Sequence, residues 1–243
     1  MSALSLENLQ AGYDPDLPIV KGVSFNVEKG ESVCILGPNG AGKSTMIKAI
    51  AGLVPCFGGN VRLGEADVTG LPSHLLVRRG MGFVPQTENI FTRLSIIENL
   101  QIAAQLLPKP ERPGRIEAML DMFPDLAARP RELAGALSGG QRQMLAAARA
   151  LLTEPEVLML DEPSAGLSPK LVGQVFETLR RISDAGVTLV LVEQNVRAAL
   201  TLTDRALVLV DGKLAHDGPT DVLHDGRFLG ELFLGHRAAE ANQ

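Results

Sequence analysis

Two stretches of the chain bring together the residue types that handle polyphosphates. Gly37-Pro38-Asn39-Gly40-Ala41-Gly42-Lys43-Ser44-Thr45 follows the apolar run Val33 to Leu36 and precedes the helix-favouring Met46 to Ile50. Strand, Gly-rich loop and helix, in that order, make a phosphate-binding loop (P-loop). Its glycines let backbone N–H groups turn inward around a polyphosphate, and the helix start adds unpaired donors and a favourable dipole. Lys43 is placed to neutralise β- and γ-phosphate oxygens, and the Ser44 hydroxyl to ligate Mg2+. The second stretch, Val157-Leu158-Met159-Leu160-Asp161-Glu162, ends an apolar strand in two carboxylates. Such a strand delivers Asp161 rigidly to the edge of a sheet, where it can hold the Mg2+ shell, and Glu162 can polarise an attacking water. Two carboxylates with distinct tasks point to hydrolysis. No Asn-Lys-x-Asp stretch, the guanine-reading element of GTPases, occurs, so ATP is the expected nucleotide.

These residues need a rigid frame, and the rest of the chain supplies one. Its 243 residues, 45% hydrophobic and 21% charged, are ample for a buried core, and the formal net charge of −5 without a block of Lys/Arg speaks against a nucleic-acid surface. Val33 to Leu36, Val157 to Leu160 and Val187 to Val192 read as strands buried on both faces, the mark of a parallel sheet covered by helices. The expected class is α/β. Leu4 to Leu9 and the alternating Val23 to Val27 read as further strands, and Ala206 to Val210, Asp211-Gly212 and Lys213 to His216 as a hairpin. From about Glu88 to Leu152 only helical stretches appear, at 96–107, 115–122 and 141–152, with Pro-rich joints at 108–113 and at Pro130. Residues 1–87 and 153–236 are therefore read as a core, 88–152 as an inserted helical subdomain, and 237–243 as a polar tail. The first residues lack a basic start followed by an apolar run, and no apolar stretch reaches the ~18–20 residues of a membrane span. Cys34 and Cys56 have no Cys or His neighbours at metal-ligand spacing, and a cytoplasmic location is expected.

A third motif, Leu137-Ser138-Gly139-Gly140-Gln141, stands before an Ala-rich helix. Ser138 as N-cap and the amides of Gly139 and Gly140 make another anion-seeking helix start. The motif resembles the signature of ATP-binding cassette (ABC) ATPases, and the resemblance extends over nearly the whole chain. It implies a P-loop NTPase core of RecA-like type, an N-terminal antiparallel β subdomain and a helical insertion. It also implies that Ser138, Gly139, Gly140 and Gln141 serve the nucleotide on a partner's P-loop in a head-to-tail dimer. Tyr13 stands where the family carries an adenine-stacking aromatic, the alternative being a surface tyrosine. Gln86 matches the glutamine that touches Mg2+ and the attacking water at the joint of core and subdomain. Ser164 to Ser168 resembles the loop that contacts the partner subunit.

One position departs from the family. Glu193-Gln194-Asn195 stands where most members have a histidine on the γ-phosphate, and the chain's histidines, His74, His216, His224 and His236, are elsewhere. Gln194 can donate a neutral hydrogen bond but cannot become cationic, or it can be structural. With Phe123-Pro124, the Ala134 to Gly140 segment and the Phe233-Leu234-Gly235 ending, this is similar to the second ATPase subunit of branched-chain amino acid uptake systems and their amide- or urea-transporting relatives. That resemblance implies a second ATPase subunit, in a homo- or heterodimer, two transmembrane permeases, an extracytoplasmic binding protein, and a place on the inner face of the membrane. The apolar stretch 90–97 is a candidate grip for a permease or, equally, subdomain core. A soluble ABC-type ATPase of nucleic-acid or protein machinery, or a nucleotide-dependent dimerisation switch, are the competing classes.

Overall fold

The structure, a computed structural model, describes residues 1–87, 89–224 and 230. The Phe233-Leu234-Gly235 ending, His236, the expected tail 237–243 and position 88 lie outside the described residues. The chain begins with β1 (Ser2–Ala11), β2 (Val20–Glu28), β3 (Ser32–Leu36), α1 (Lys43–Ile50), β4 (Cys56–Leu63), β5 (Ala66–Asp67), α2 (Ser73–Val77) and β6 (Met81–Val84). A helical stretch follows: α3 (Ile96–Ala104), α4 (Arg112–Met122), α5 (Pro124–Ala127) and α6 (Gly139–Leu151). Then come β7 (Val157–Asp161), α7 (Pro169–Asp184), β8 (Thr188–Val192), α8 (Val196–Leu202), β9 (Arg205–Val210) and β10 (Lys213–Pro219).

The strands form two sheets. One is antiparallel, in the order β2-β1-β4-β5, and the other runs β10-β9-β3-β8-β7-β6, with parallel pairing from β9 to β6 and β10 antiparallel on its edge. Every residue of β3, β7 and β8 is buried, because helices and the second sheet cover both faces of the parallel sheet. β2 instead alternates buried and exposed residues, as a strand with one wet face must. Asp211 and Gly212 both adopt positive φ, 48° and 79°, the left-handed pair that closes the tight turn between β9 and β10.

Local chemistry explains where the elements begin. Ser95 and Ser138 each form a capping box with a residue three further on, Glu98 for α3 and Gln141 for α6. The expected joint at 108–113 is shorter than the sequence implied, because Pro113 sits in the first turn of α4, where its missing N–H has no helical partner to lose. The helix expected at 96–107 ends at Ala104, and residues 105–107 form turns instead. α7 and α8 were not anticipated, although α7 turns Val175, Phe176, Leu179 and Ile182 inward at helical spacing. β4 and β6 were also unanticipated. Pairing of β6 with β7 carries the chain to Gln86 at the rim of the sheet.

Candidate active site

The loop after β3 folds back on its own lysine. Gly42 is the N-cap of α1 at φ 94°, a left-handed conformation, and a Cβ on Gly37 would lie 2.1 Å from the Leu209 carbonyl oxygen. Lys43 is 5% exposed, and its Nζ donates to the carbonyls of Gly37 at 2.9 Å and Pro38 at 3.0 Å. Burial lowers its pKa, and the carboxylates of Glu162 and Asp161 oppose that shift. The amides of Gly40, Gly42, Lys43, Ser44 and Thr45 carry no backbone hydrogen bond among the described residues. These residues belong to the 39–45 loop, which with Ile19, Gln86, Glu162 and Gln194 lines a cleft of ≈ 390 Å³. Open amides at a helix start, with an ammonium beside them, fit a polyphosphate.

Asp161 lies behind Ser44, outside the cleft lining, and the Ser44 hydroxyl donates to its Oδ1 at 2.9 Å. Asp161 is 1% exposed, and its Oδ2 has no hydrogen-bond partner among the described residues. Burial raises its pKa, with the Ser44 hydrogen bond and the Lys48 charge pulling the other way. An orphaned, buried carboxylate oxygen beside a hydroxyl is a pair of hard oxygen donors, which fits Mg2+. No group of three or more His, Cys, Asp or Glu that could cage a metal occurs among the described residues. The pair also suits Mg2+ in that this ion is held by one or two carboxylates together with substrate phosphates.

Glu162 is 6% exposed and sits at φ 50°, a turn that swings its side chain off the line of β7. Two carboxamides cover it. Gln86 Nε2 donates to Oε2 at 2.9 Å, and Gln194 Nε2 donates to Oε1 at 2.8 Å and Oε2 at 2.9 Å. Gln194 therefore grips Glu162 across the loops rather than merely closing the end of β8. A histidine at 194 would present a single N–H in place of the amide pair. Gln194→His is expected to leave the ATP Kd within about 2-fold and to change kcat by less than about 5-fold. It should also add to the pH–rate profile a limb near the ordinary imidazole range, about pH 6.5. Loss of folding or of nucleotide affinity in that variant would mean that Gln194 is structural.

Ser138, Gly139, Gly140 and Gln141 do not line this cleft. Ser138 Oγ accepts from Gln141 N at 3.4 Å, and Gln141 Oε1 accepts from Ser138 N at 3.1 Å, so Gln141 is occupied as a cap. The glycines are set by close packing: a Cβ on Gly139 would lie 2.5 Å from Leu167 Cδ2, and one on Gly140 3.3 Å from Leu171 Cδ2. Tyr13 is 68% exposed and outside the cleft lining, in the β1–β2 connection that also carries Ile19 into the cleft. Ile19 was not anticipated, and its sequence neighbourhood holds no signal for it. The 90–97 stretch splits: Ile96 is fully buried in the core, whereas Phe91 is 46% exposed beneath the Arg149 guanidinium.

A parallel sheet with a phosphate loop on β3 and carboxylates at the end of β7 defines a P-loop nucleoside triphosphatase. The family described as ABC transporter matches residues 20–165. The chain belongs to that family, as the ATP-binding, ATP-hydrolysing subunit of a transporter. It is 43% identical over 228 residues, 93% of this chain and 96% of the relative, to a probable branched-chain amino acid transport ATP-binding protein, LivF, of Archaeoglobus fulgidus. It is 40% identical over 84% of both chains to the high-affinity branched-chain amino acid transport ATP-binding protein BraG of Pseudomonas aeruginosa. The lipopolysaccharide export ATP-binding protein LptB of Escherichia coli is 36% identical over 96% of this chain and 99% of its own. Among solved structures, the ADP conformation of MJ1267, an ATP-binding cassette of an ABC transporter, superposes with TM-score 0.84 at 28% identity, over 97% of this chain and 99% of that one.

Proposed function

We propose that this chain powers import of branched-chain or similar amino acids through partner permeases. The observation that carries the choice of cargo is the higher identity to two branched-chain amino acid transport subunits, 43% and 40%, against 36% for the lipopolysaccharide export subunit. In this reading Lys43 exchanges its Gly37 and Pro38 carbonyls for β- and γ-phosphate oxygens, and the open amides of the loop bind the rest of the polyphosphate. Ser44 and Asp161 hold Mg2+, with Gln86 beside them, and the ion neutralises phosphate charge when bound. Glu162, held by Gln86 and Gln194, orients the attacking water and accepts its proton. Tyr13 stacks on adenine. Residues 88–152 move as a unit on the core, through the Gln86 joint.

The Ser138 helix start lies apart from the P-loop cleft, so a second ATPase subunit would have to bring the two together, each chain completing the other's site. No helix among the described residues is long and apolar enough to cross a membrane. The membrane part is therefore assigned to two permeases, fed by an extracytoplasmic binding protein, with this subunit peripheral on the cytoplasmic face. Their docking place in this reading is a groove of ≈ 440 Å³ between β6, α3 and α6, where Ile102 and Leu106 are 37% and 53% exposed. The test is leucine uptake by vesicles containing the chain, its permeases and the binding protein. Parent transporter should accumulate leucine only with ATP. Leu106→Glu should abolish uptake while the basal ATPase rate stays within about 2-fold, since a buried charge weakens only the apolar contact. ATP hydrolysis without amino acid uptake in the parent, or lipid extraction in its place, would overturn the import reading.

A further inference from the structure

Glu193 is a buried carboxylate to which the site described above gives no task. It follows β8, is 2% exposed, and receives three backbone hydrogen bonds. Its Oε1 accepts from Ser164 N at 3.0 Å. Its Oε2 accepts from Gln194 N at 3.1 Å and from Asn195 N at 3.2 Å. The first donor belongs to the loop after β7, which begins at Glu162, and the other two to the turn after β8, which carries Gln194. Burial pushes its pKa up, and the Ser164 hydroxyl and these amides pull it down. A carboxylate this deep is costly unless its lone pairs are used, and here both oxygens are used by amides from two separate loops.

The two loops it joins hold the two ends of one functional contact, the Gln194 carboxamide on the Glu162 carboxylate at 2.8 and 2.9 Å. We propose that Glu193 is a positioning residue for ATP hydrolysis: it latches the loop after β7 to the turn after β8 and so fixes Gln194 on Glu162. It touches neither nucleotide nor water and acts through Gln194. The convergence of two successive amides on one oxygen sets the turn's backbone, and the second oxygen ties that turn to the loop of its target. A carboxamide at 193 has only one acceptor oxygen, so its NH2 group would face either Ser164 N–H or the paired amides of 194 and 195. One loop is then released while side-chain volume is kept. The inference rests on the reading of Glu162 as the water-orienting residue.

The test compares Glu193→Gln, Glu193→Asp, Gln194→Ala, the Glu193→Gln/Gln194→Ala double variant and Glu162→Gln, each assembled with its partner subunits. Steady-state ATPase rates and direct ATP titrations are measured. Glu193→Gln is expected to lower kcat about 10-fold with KM and Kd within about 2-fold, and Glu193→Asp, which keeps the charge, to recover part of that loss. Gln194→Ala should itself lower kcat, and the double variant should be no more than about 2-fold slower than Gln194→Ala, because both changes break one contact. Parental kcat in Glu193→Gln, parental kcat in Gln194→Ala, losses that multiply, or a Kd that rises in step with the fall in kcat would each overturn the proposal. If Glu193→Gln does not fold, Glu193→Asp carries the test: lowered kcat at unchanged Kd supports the latch, and parental kcat refutes it. Parental turnover in Glu162→Gln would instead refute the role of Glu162.

Discussion

Lys43→Ala is expected to raise the Kd for Mg-ATP about 100-fold in a direct titration, a loss of about 2.7 kcal/mol, the size of one strong charge-assisted hydrogen bond to a phosphate. The structure explains why this residue dominates. Lys43 as a whole is 5% exposed, and desolvation already lowers its pKa, so its ammonium lacks the full water shell that weakens a surface lysine. Its partners here are two neutral carbonyls, Gly37 O and Pro38 O, which a triphosphate oxygen outbids through its charge. Truncation removes that exchange and leaves a hole at the start of α1. Lys43→Met, which fills most of the hole, separates the two effects: affinity should stay as low as in the alanine variant while thermal stability recovers. Lys43→Arg should also bind poorly, because a broad planar guanidinium does not fit a cradle built for a compact ammonium. Affinity within about 3-fold of the parent in Lys43→Ala would sink the assignment of the loop.

Much of the frame behind that residue is legible in the sequence because its signals are local. β3, β7 and β8 are continuous apolar runs, which only a sheet covered on both faces can hide. The Asp-Gly turn between β9 and β10 needs two residues tolerant of positive φ, and it has them. α7 was harder to read. Its inward residues are separated by Glu177, Thr178 and the paired Arg180 and Arg181, so no continuous apolar run announces it, and only the spacing of Val175, Phe176, Leu179 and Ile182 does. β4 is blurred by Gly58 and Gly59 inside the strand.

The site divides the same way. The residues within the P-loop are contiguous in sequence, and so are Asp161 and Glu162, so the chemistry of each group shows in the order of residue types. Gln86, Gln194 and Glu162 are far apart in the chain, and their mutual hydrogen bonds exist only once β6, β7 and β8 lie side by side. Ile19 and Glu193 carry no signal at all in one dimension. The first reaches the cleft because the β1–β2 connection folds back beside Gly42, and the second matters because two loops happen to meet over it. The same packing gives Gly139 and Gly140 a steric duty against Leu167 and Leu171 that their motif alone did not reveal.

Glu162→Gln should lower kcat about 10³-fold while leaving ATP binding intact, the scale expected when a general base is removed from a site whose positioning groups remain. The substitution is nearly isosteric, so the backbone at φ 50° and the hydrogen bond from Glu162 N to Val192 O at 2.9 Å can persist. What changes is charge and hydrogen-bond polarity. Gln86 Nε2 and Gln194 Nε2 both donate to this carboxylate, and a carboxamide offers them a single oxygen and sets its own NH2 against the other donor. Gln86 or Gln194 must then turn its amide, which costs orientation but not fold. Loss of one negative charge also removes a repulsion on the γ-phosphate, so the Kd for ATP should be equal to or lower than that of the parent. Glu162→Ala is the contrasting case: both glutamine amides lose their acceptor, and stability should fall with activity. A single-turnover measurement with radiolabelled ATP checks the chemical step apart from product release. Cleavage within about 10-fold of the parent in Glu162→Gln would mean that the water is activated elsewhere, and the grip of Gln86 and Gln194 on Glu162 would then be only a structural tie among the loops after β6, β7 and β8.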